Sequence, residues 1–347
     1  RLGTAVVRAV GHEHHAGESE HAVTWHVRTR DVDGGEIVAV ERFDISPDDT
    51  ALSLNARCFE AGEASFPKVV AGLLGELSTT PQPAGERRVY RRVERPIVVF
   101  DPQAEPVAFE RGVRAVAVGH RIVNTVGIGR VVHAGRALVV GNARLAAASG
   151  AAPGTVRLDG DDLCIATVGD DVVLDLETPD GRPLHGSAAL TALGLAAGDT
   201  LAAATTVAAR LSEYDPGLAR HEAAWRARLA HTRQAVAASA TPLAPTPTAD
   251  SHFAALDLPS GTDAADVVAA VAAWSWRLAD GAAIALGLTD PAARATIAAV
   301  APTAQPAIVT LAIDDSTTLA ALREAAADEI AAATKHGPLL SDLFGRD

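Results

Sequence analysis

HAVTWHVRTRDVDGGEIVAVERFDISPDDTALSLNARCFEAG, residues His21–Gly62, holds in order a strand pattern, a glycine turn, a second strand pattern, a capping sequence and a helical pattern. In AVTWHVRT the side chains of Val23, Trp25 and Val27 fall on one face, and His26 falls on the other, because successive strand side chains alternate. DVDGG separates this run from EIVAVERFDI, so the two read as a hairpin or as neighbouring strands. SPDDT supplies the short oxygen-bearing side chains that cap helix N-termini. After it Ala51, Leu54, Cys58 and Ala61 recur at helical spacing, with Phe66, Val70, Leu73 and Leu77 on a second stripe, and both stripes predict packing surfaces.

Outward from this stretch, the chain of 347 residues is long enough for two or three domains. Arg1–Val10 has helical spacing, and the polar stretch GHEHHAGESE follows it as a loop. STTPQPAGERR reads as a connector and places a boundary near residue 80. FERGVRAVAVG predicts a short helix. RALVVGNARL, GTVRLDG, DDLCIATVG and DVVLDLETPDGRPL then follow at close spacing between Gly and Asp turns, the rhythm of a small barrel. YDPGLARHEAAWRARLAHTRQAVAA predicts a long helix, so a second boundary falls near Leu211; the proline-rich TPLAPTPTAD behind it reads as a linker. The last segment alternates: SHFAALDL and AIVTLAID as strands, TDAADVVAAVAAWSWRLADG as a helix. DDSTTLAALREAAADEIAAATKHG is a helix with Leu319, Leu322, Ala326 and Ile330 on one stripe, ending at Lys335, His336 and Gly337.

Composition narrows the function. The formal charge is −13 with 48% apolar residues. An acidic balance of this size argues against nucleic acid and anionic membranes as partners, since both require a basic surface. No window approaches eighteen strongly apolar residues. Cys58 and Cys164, the two cysteines, stand in apolar stretches and are expected to be buried and inert, which points to a reducing, cytoplasmic setting. Met is absent and Lys nearly so, a usage that suggests a GC-rich source. The missing start Met suggests an excerpt from a longer polypeptide.

Among the ionisable groups, Asp33 stands against Gly34 and Gly35, which allow a tight turn and close approach to a ligand. An Asp at a strand–loop junction can orient a His or a water for acid–base work, and DVDGG is equally an ordinary hairpin turn. His26 faces either a pocket or solvent. His12, His14, His15 and His21 lack the spacing of a metal site and read as a solvated loop, so no metal is expected. GIGRVVHAG lacks the context of a dinucleotide fingerprint, and no P-loop, GxSxG, HExxH or paired CxxC occurs. Trp225, Trp274 and Trp276 lie on helical patterns and read as core or interface anchors.

His21–Gly62 resembles the closing part of the catalytic domain of formyl-tetrahydrofolate-dependent formyltransferases. Ala22, Val23, Thr24, His26, Val32, Asp33, Gly35, Ile37, Thr50 and Ala51 match the family pattern in order. Arg95 to about Leu201 is similar to the small β-barrel domain that follows in methionyl-tRNA formyltransferase-like proteins, in versions fused to nonribosomal peptide synthetases. HEAAWRARLA and HGPLLSDLFGRD resemble the C-terminal lobe of a condensation domain. The fold class implied is multidomain, α/β and β: the C-terminal part of a Rossmann-like formyltransferase domain over 1–80, an OB-like barrel over 95–205, and an α/β condensation-like lobe over 211–347.

The resemblance also implies a chemistry. In the family the substrate amine attacks the formyl carbon of formyl-tetrahydrofolate; an Asn and a His stabilise the oxyanion, and an Asp orients the His and a water. Only the Asp carries over, onto Asp33, with Thr24, His26 and Gly35 as pocket positions; no residue carries over for binding the folate cofactor. The family's Asn-x-His and His-x-Ser-Leu-Leu-Pro stretches are expected upstream of Arg1, so this chain alone is expected to be inactive. The family's Asn-Pro-Leu-Gly is replaced by Asn124-Thr125-Val126-Gly127, and the condensation-like part has no His-His-x-x-x-Asp-Gly. Two readings follow: part of an assembly-line enzyme that formylates an amine, with a carrier-bound aminoacyl group as a candidate acceptor, or an inactive scaffold that positions adenylation or carrier domains.

Overall fold

The structure, a computed structural model, describes residues 17–30, 35–75, 78–83, 93–119, 122–238, 257–278, 284–300 and 303–346. The predicted helix at Arg1–Val10, the histidines at 12, 14 and 15, and Asp33 lie outside the described residues. The chain divides into two compact units, 1–216 with 344–347, and 217–343.

The first unit opens with β1 (Glu20–His26) and β2 (Ile37–Asp44), an antiparallel pair in which Val23 opposes Glu41. Helix α1 (Ala51–Leu74) packs across both strands. Thr50 caps it by accepting from the Ser53 amide while Ser53 Oγ accepts from the Thr50 amide, so two end groups are satisfied reciprocally. Asp49 reinforces the corner, accepting from Ser46 N, Ser53 Oγ and Arg57. The expected inner stripe is buried at Ala51, Leu54 and Cys58 and continues to Ser65 and Val69. The second stripe differs from expectation. Val70 and Leu73 are exposed, and Phe66, 49% exposed, meets the strand pair through the Trp25 ring.

Beyond the connector a seven-stranded mixed sheet forms, in the order β3 (Val98–Val99), β4 (Gly129–His133), β5 (Arg136–Ala146), β8 (Asp171–Glu177), β7 (Asp162–Ile165), β6 (Val156–Asp159), with β9 (Pro183–Leu184) also pairing with β8. β3 and β4 run parallel, joined through α2 (Pro106–Val116), and the other pairs are antiparallel. Proline at N1 starts α2 where no intrahelical N–H is lost. α2 and α3 (Gly186–Leu193) pack on this sheet and close the main core around Phe100, Leu163, Ile165, Leu176 and Leu193. The Asp101 carboxylate accepts from Ala204 N and Thr205 Oγ1 at the start of α4 (Thr205–Ala238). Asp215 on α4 forms a bidentate, buried pair with Arg95, at 2.7 and 2.9 Å.

The second unit holds the rest of α4, then α5 (Ala264–Leu278), β10 (Ile284–Leu288), α6 (Pro291–Val300), β11 (Ala304–Gln305), β12 (Ala307–Leu311), α7 (Leu319–His336), β13 (Leu339–Leu340) and a 3-10 turn. β10 pairs with β12 and β11 with β13, each antiparallel. β10 and α6 are absent from the sequence reading, since an apolar run as short as IALGL has no periodicity that separates strand from helix. Of the predicted strand SHFAALDL only Asp257 and Leu258 are described, and neither is in a strand. Trp225 is a core anchor at 1% exposure, whereas Trp274 is 65% exposed and anchors no core.

Candidate functional site

A cleft of about 510 Å³ lies between β1 and α1. Val23 and Trp25 line it from the strand, Cys58, Phe59, Gly62, Glu63 and Phe66 from the helix, and its walls are mostly apolar. The indole of Trp25 donates to Ser65 Oγ at 2.9 Å and packs against Phe66 with ring centroids 5.5 Å apart. Ser65 is fully buried and its hydroxyl donates to Ala61 O. This chain of bonds fixes the indole, and with it the end of β1. His21 is part of β1, not of the solvated loop, and its ring meets Phe43 edge-on at 5.5 Å. Phe59, Gly62 and Glu63 were missed by the sequence reading, which named only Phe66 of this face, as part of a packing stripe, although their spacing of three and four residues marks one helical face.

Of the expected pocket residues, Thr24 lines the cleft, while His26 and Gly35 do not. By alternation His26 falls on the face opposite Val23 and Trp25, and a bulge lies beside it. The register slips between Trp25 and His26, strand alternation breaks there, and the half-buried ring has its Nδ1 3.3 Å from the carbonyl of Val27. Val27, expected on the Trp25 face, lies past the bulge and is exposed.

Gly35 is buried where the backbone of Val27 comes close to it. A Cβ at this position would fall 1.7 Å from the carbonyl oxygen of Val27. The glycine lets the two strands approach, and Val27 N donates to Glu36 O at 2.9 Å across the gap. The connector returns to this point. Gln82 Nε2 donates to Gly35 O at 2.7 Å, Thr79 Oγ1 donates to the Glu36 carboxylate, and Ile37 and Thr80 exchange two backbone bonds at 2.7 and 2.8 Å. The residues that follow Asp33 in sequence are thus held at three successive positions.

A second polar centre sits at the Asn124 loop. The Asn124 amide donates to Val116 O and Gly127 O, and its oxygen accepts from Val126 N and Gly127 N. Two donors and two acceptances saturate the side chain, so its role is to close the loop. Asn124 N also donates to Arg346 O, and Arg346 NH1 to Asn124 O, both within the first unit.

Among the described residues no cluster of three or more His, Cys, Asp or Glu could hold a metal ion, and no helix is long and apolar enough to cross a membrane. Cys58 and Cys164 are free and buried, and burial pushes the Cys164 thiol above its ordinary value.

No family model matches the chain. In sequence it is similar to a methionyl-tRNA formyltransferase of Myxococcus xanthus, 31% identical over 169 residues, which are 48% of this chain and 51% of that protein. The chain therefore spans about half the length of this curated relative, and over that half the similarity is to the formyltransferase family. Among solved structures it is similar to an HypX variant from Aquifex aeolicus (TM-score 0.41, 18% identity, 53% of this chain and 32% of that one). HypX in complex with tetrahydrofolic acid gives 0.40, with 17% identity over 52% and 31%. An N-formyltransferase from Helicobacter canadensis, in complex with folinic acid and dTDP-3-aminofucose, gives 0.37, with 16% identity over 48% and 59%.

Proposed function

We propose that the first unit is the C-terminal part of a formyl-tetrahydrofolate-dependent formyltransferase, in a nonribosomal peptide synthetase-like protein whose second unit is a condensation-like lobe. The observation that carries the formyl-transfer reading is the 31% identity with the Myxococcus xanthus protein. The ordered match from Ala22 to Ala51 agrees with it. The amine acceptor is an aminoacyl group on a carrier domain of the same assembly line, and the setting is cytoplasmic.

Asp33 is the catalytic residue: its carboxylate orients the His and water that move the proton from the attacking amine. The amine nitrogen bonds to the formyl carbon, the bond from that carbon to the folate nitrogen breaks, and the folate nitrogen takes up a proton. The part this chain contributes is the Asp and the rigid frame behind it. Trp25 on Ser65 fixes β1, and the bonds of Gln82 to Gly35 and of Thr80 to Ile37 fix β2.

The test uses the full-length natural polypeptide with formyl-tetrahydrofolate and a carrier-bound amino acid. Asp33→Asn should lower the rate of formyl transfer by about a hundredfold or more, the loss of an acid–base partner. An unchanged rate refutes the assignment. Absence of transfer by the unsubstituted protein favours the scaffold reading instead.

A further inference from the structure

In the second unit His221 of α4 and His336, the last residue of α7, meet with their Nδ1 atoms 3.3 Å apart and their rings 5.3 Å apart between centroids. Trp225, one turn beyond His221, sets its ring edge-on to His336 at 6.1 Å and is almost wholly buried. The two histidines lie 115 positions apart in sequence and form a joint between two helices.

A hydrogen bond between two Nδ1 atoms needs one N–H and one lone pair. The neutral pair meets this when the two rings adopt opposite tautomers. A singly protonated pair also meets it, and its bond is charge-assisted and stronger. The doubly protonated pair cannot: both nitrogens carry hydrogen, the bond is gone, and two like charges face each other in a half-buried site. The joint therefore accepts one proton and is broken by the second.

We propose that His221 and His336 form an acid-released latch that holds α4 on α7 at neutral pH and lets it go when both rings are protonated. The surrounding charges act in the same direction. Arg228 of α4 lies over the Trp225 ring at 5.6 Å, and Lys335 adjoins His336 on α7. Of the acids near the two histidines, Glu329 of α7 is engaged by Arg228 and by the Thr310 amide, and Glu222, beside His221 on α4, by Arg226. The other elements against α7 contribute little: β12 has no titratable residue, and Asp266 of α5 is engaged with Arg323 in the first turns of α7, four helical turns away in sequence from His336. The C-terminal end of the α7 dipole opposes the trend by favouring a protonated His336. Burial is the largest influence on His336, followed by His221, Lys335 and Arg228, and together they hold its pKa below the ordinary 6.5. A histidine whose folded pKa is depressed stabilises the fold fully above its unfolded value. That contribution declines as pH falls below 6.5 and is lost through the folded value, so the latch opens on acidification.

Hydrogen exchange on the whole chain, corrected for the intrinsic pH dependence of the amides, tests this. Between pH 7.5 and 5 the last turn of α7 and the His221–Leu229 stretch of α4 should lose protection, and lose more of it than β10 and β12 of the same unit. Both His336→Gln and His221→Gln should flatten this dependence. A flat profile in the unsubstituted protein overturns the proposal, as does an unchanged profile in the two variants. Should either variant fail to fold, an NMR titration of the histidine rings in the unsubstituted chain decides: two protonations, one displaced well below the ordinary value, support the latch, and two ordinary coincident ones overturn it.

Discussion

Asp215→Asn is the substitution whose cost the structure sets most directly. The change keeps the side chain's shape and removes its charge, so the Arg95 guanidinium, with its side chain 2% exposed, loses the carboxylate that balances its charge in a bidentate pair. Two charge-assisted bonds of 2.7 and 2.9 Å become weak neutral ones at best. Breaking a buried pair from one side costs about 3–5 kcal/mol, most of it the stranded charge and not the bond itself. The double variant Arg95→Met with Asp215→Leu removes the Arg95 charge as well. It should recover most of the loss, because desolvating two ions offsets much of what their attraction returns. The chain has two units, so a global unfolding curve mixes transitions. Pulse labelling of thiols in urea avoids this, since both free cysteines are buried in the first unit. With a slope of about 2–3 kcal/mol per molar for a unit of this size, the labelling midpoint should fall by roughly 1–2 M in the single variant. A fall worth less than about 1 kcal/mol, or a double variant as unstable as the single one, would refute the argument from the buried charge.

Two further expectations follow from packing and polar satisfaction. Gly35→Ala must push the Val27 carbonyl away by more than an ångström, since 1.7 Å is no contact that real atoms make. The overpacking and the weakened Val27–Glu36 bond should together cost about 2–4 kcal/mol, read as faster hydrogen exchange at Val27 and Ile37; unchanged protection there would contradict the geometry. Asn124→Ala leaves two backbone N–H groups, at Val126 and Gly127, without their acceptor. A loss of about 2–4 kcal/mol is expected in the same thiol-labelling assay, and Asn124→Asp should recover part of it by restoring the acceptor.

What was legible in the sequence was local. The Thr50 cap, the inner stripe of α1 and the strand pair follow from spacing and residue chemistry within a few turns of chain, and each appears as read. The features that define the cleft and the latch are contacts between distant residues. Trp25 meets Ser65 across 40 positions, Gln82 meets Gly35 across 47, and His336 meets His221 across 115. No periodicity of a single element encodes such pairs. The bulge at Trp25/His26 is likewise invisible to alternation.

Gly35 shows how one sequence signal can serve more than one cause. A glycine beside an acidic residue at a strand end marks a place where backbone must come close to something, and the sequence reading supplied a ligand. The something is the carbonyl of Val27, with Gln82 closing over the other side. This gives the glycine a part in the frame, and it changes what a substitution there would report. A loss of formyl transfer in Gly35→Ala would measure the frame behind Asp33, whereas the same loss in Asp33→Asn, with Val27 and Ile37 protection intact, would measure chemistry. Hydrogen exchange at those two amides therefore separates the roles that a rate measurement alone would merge.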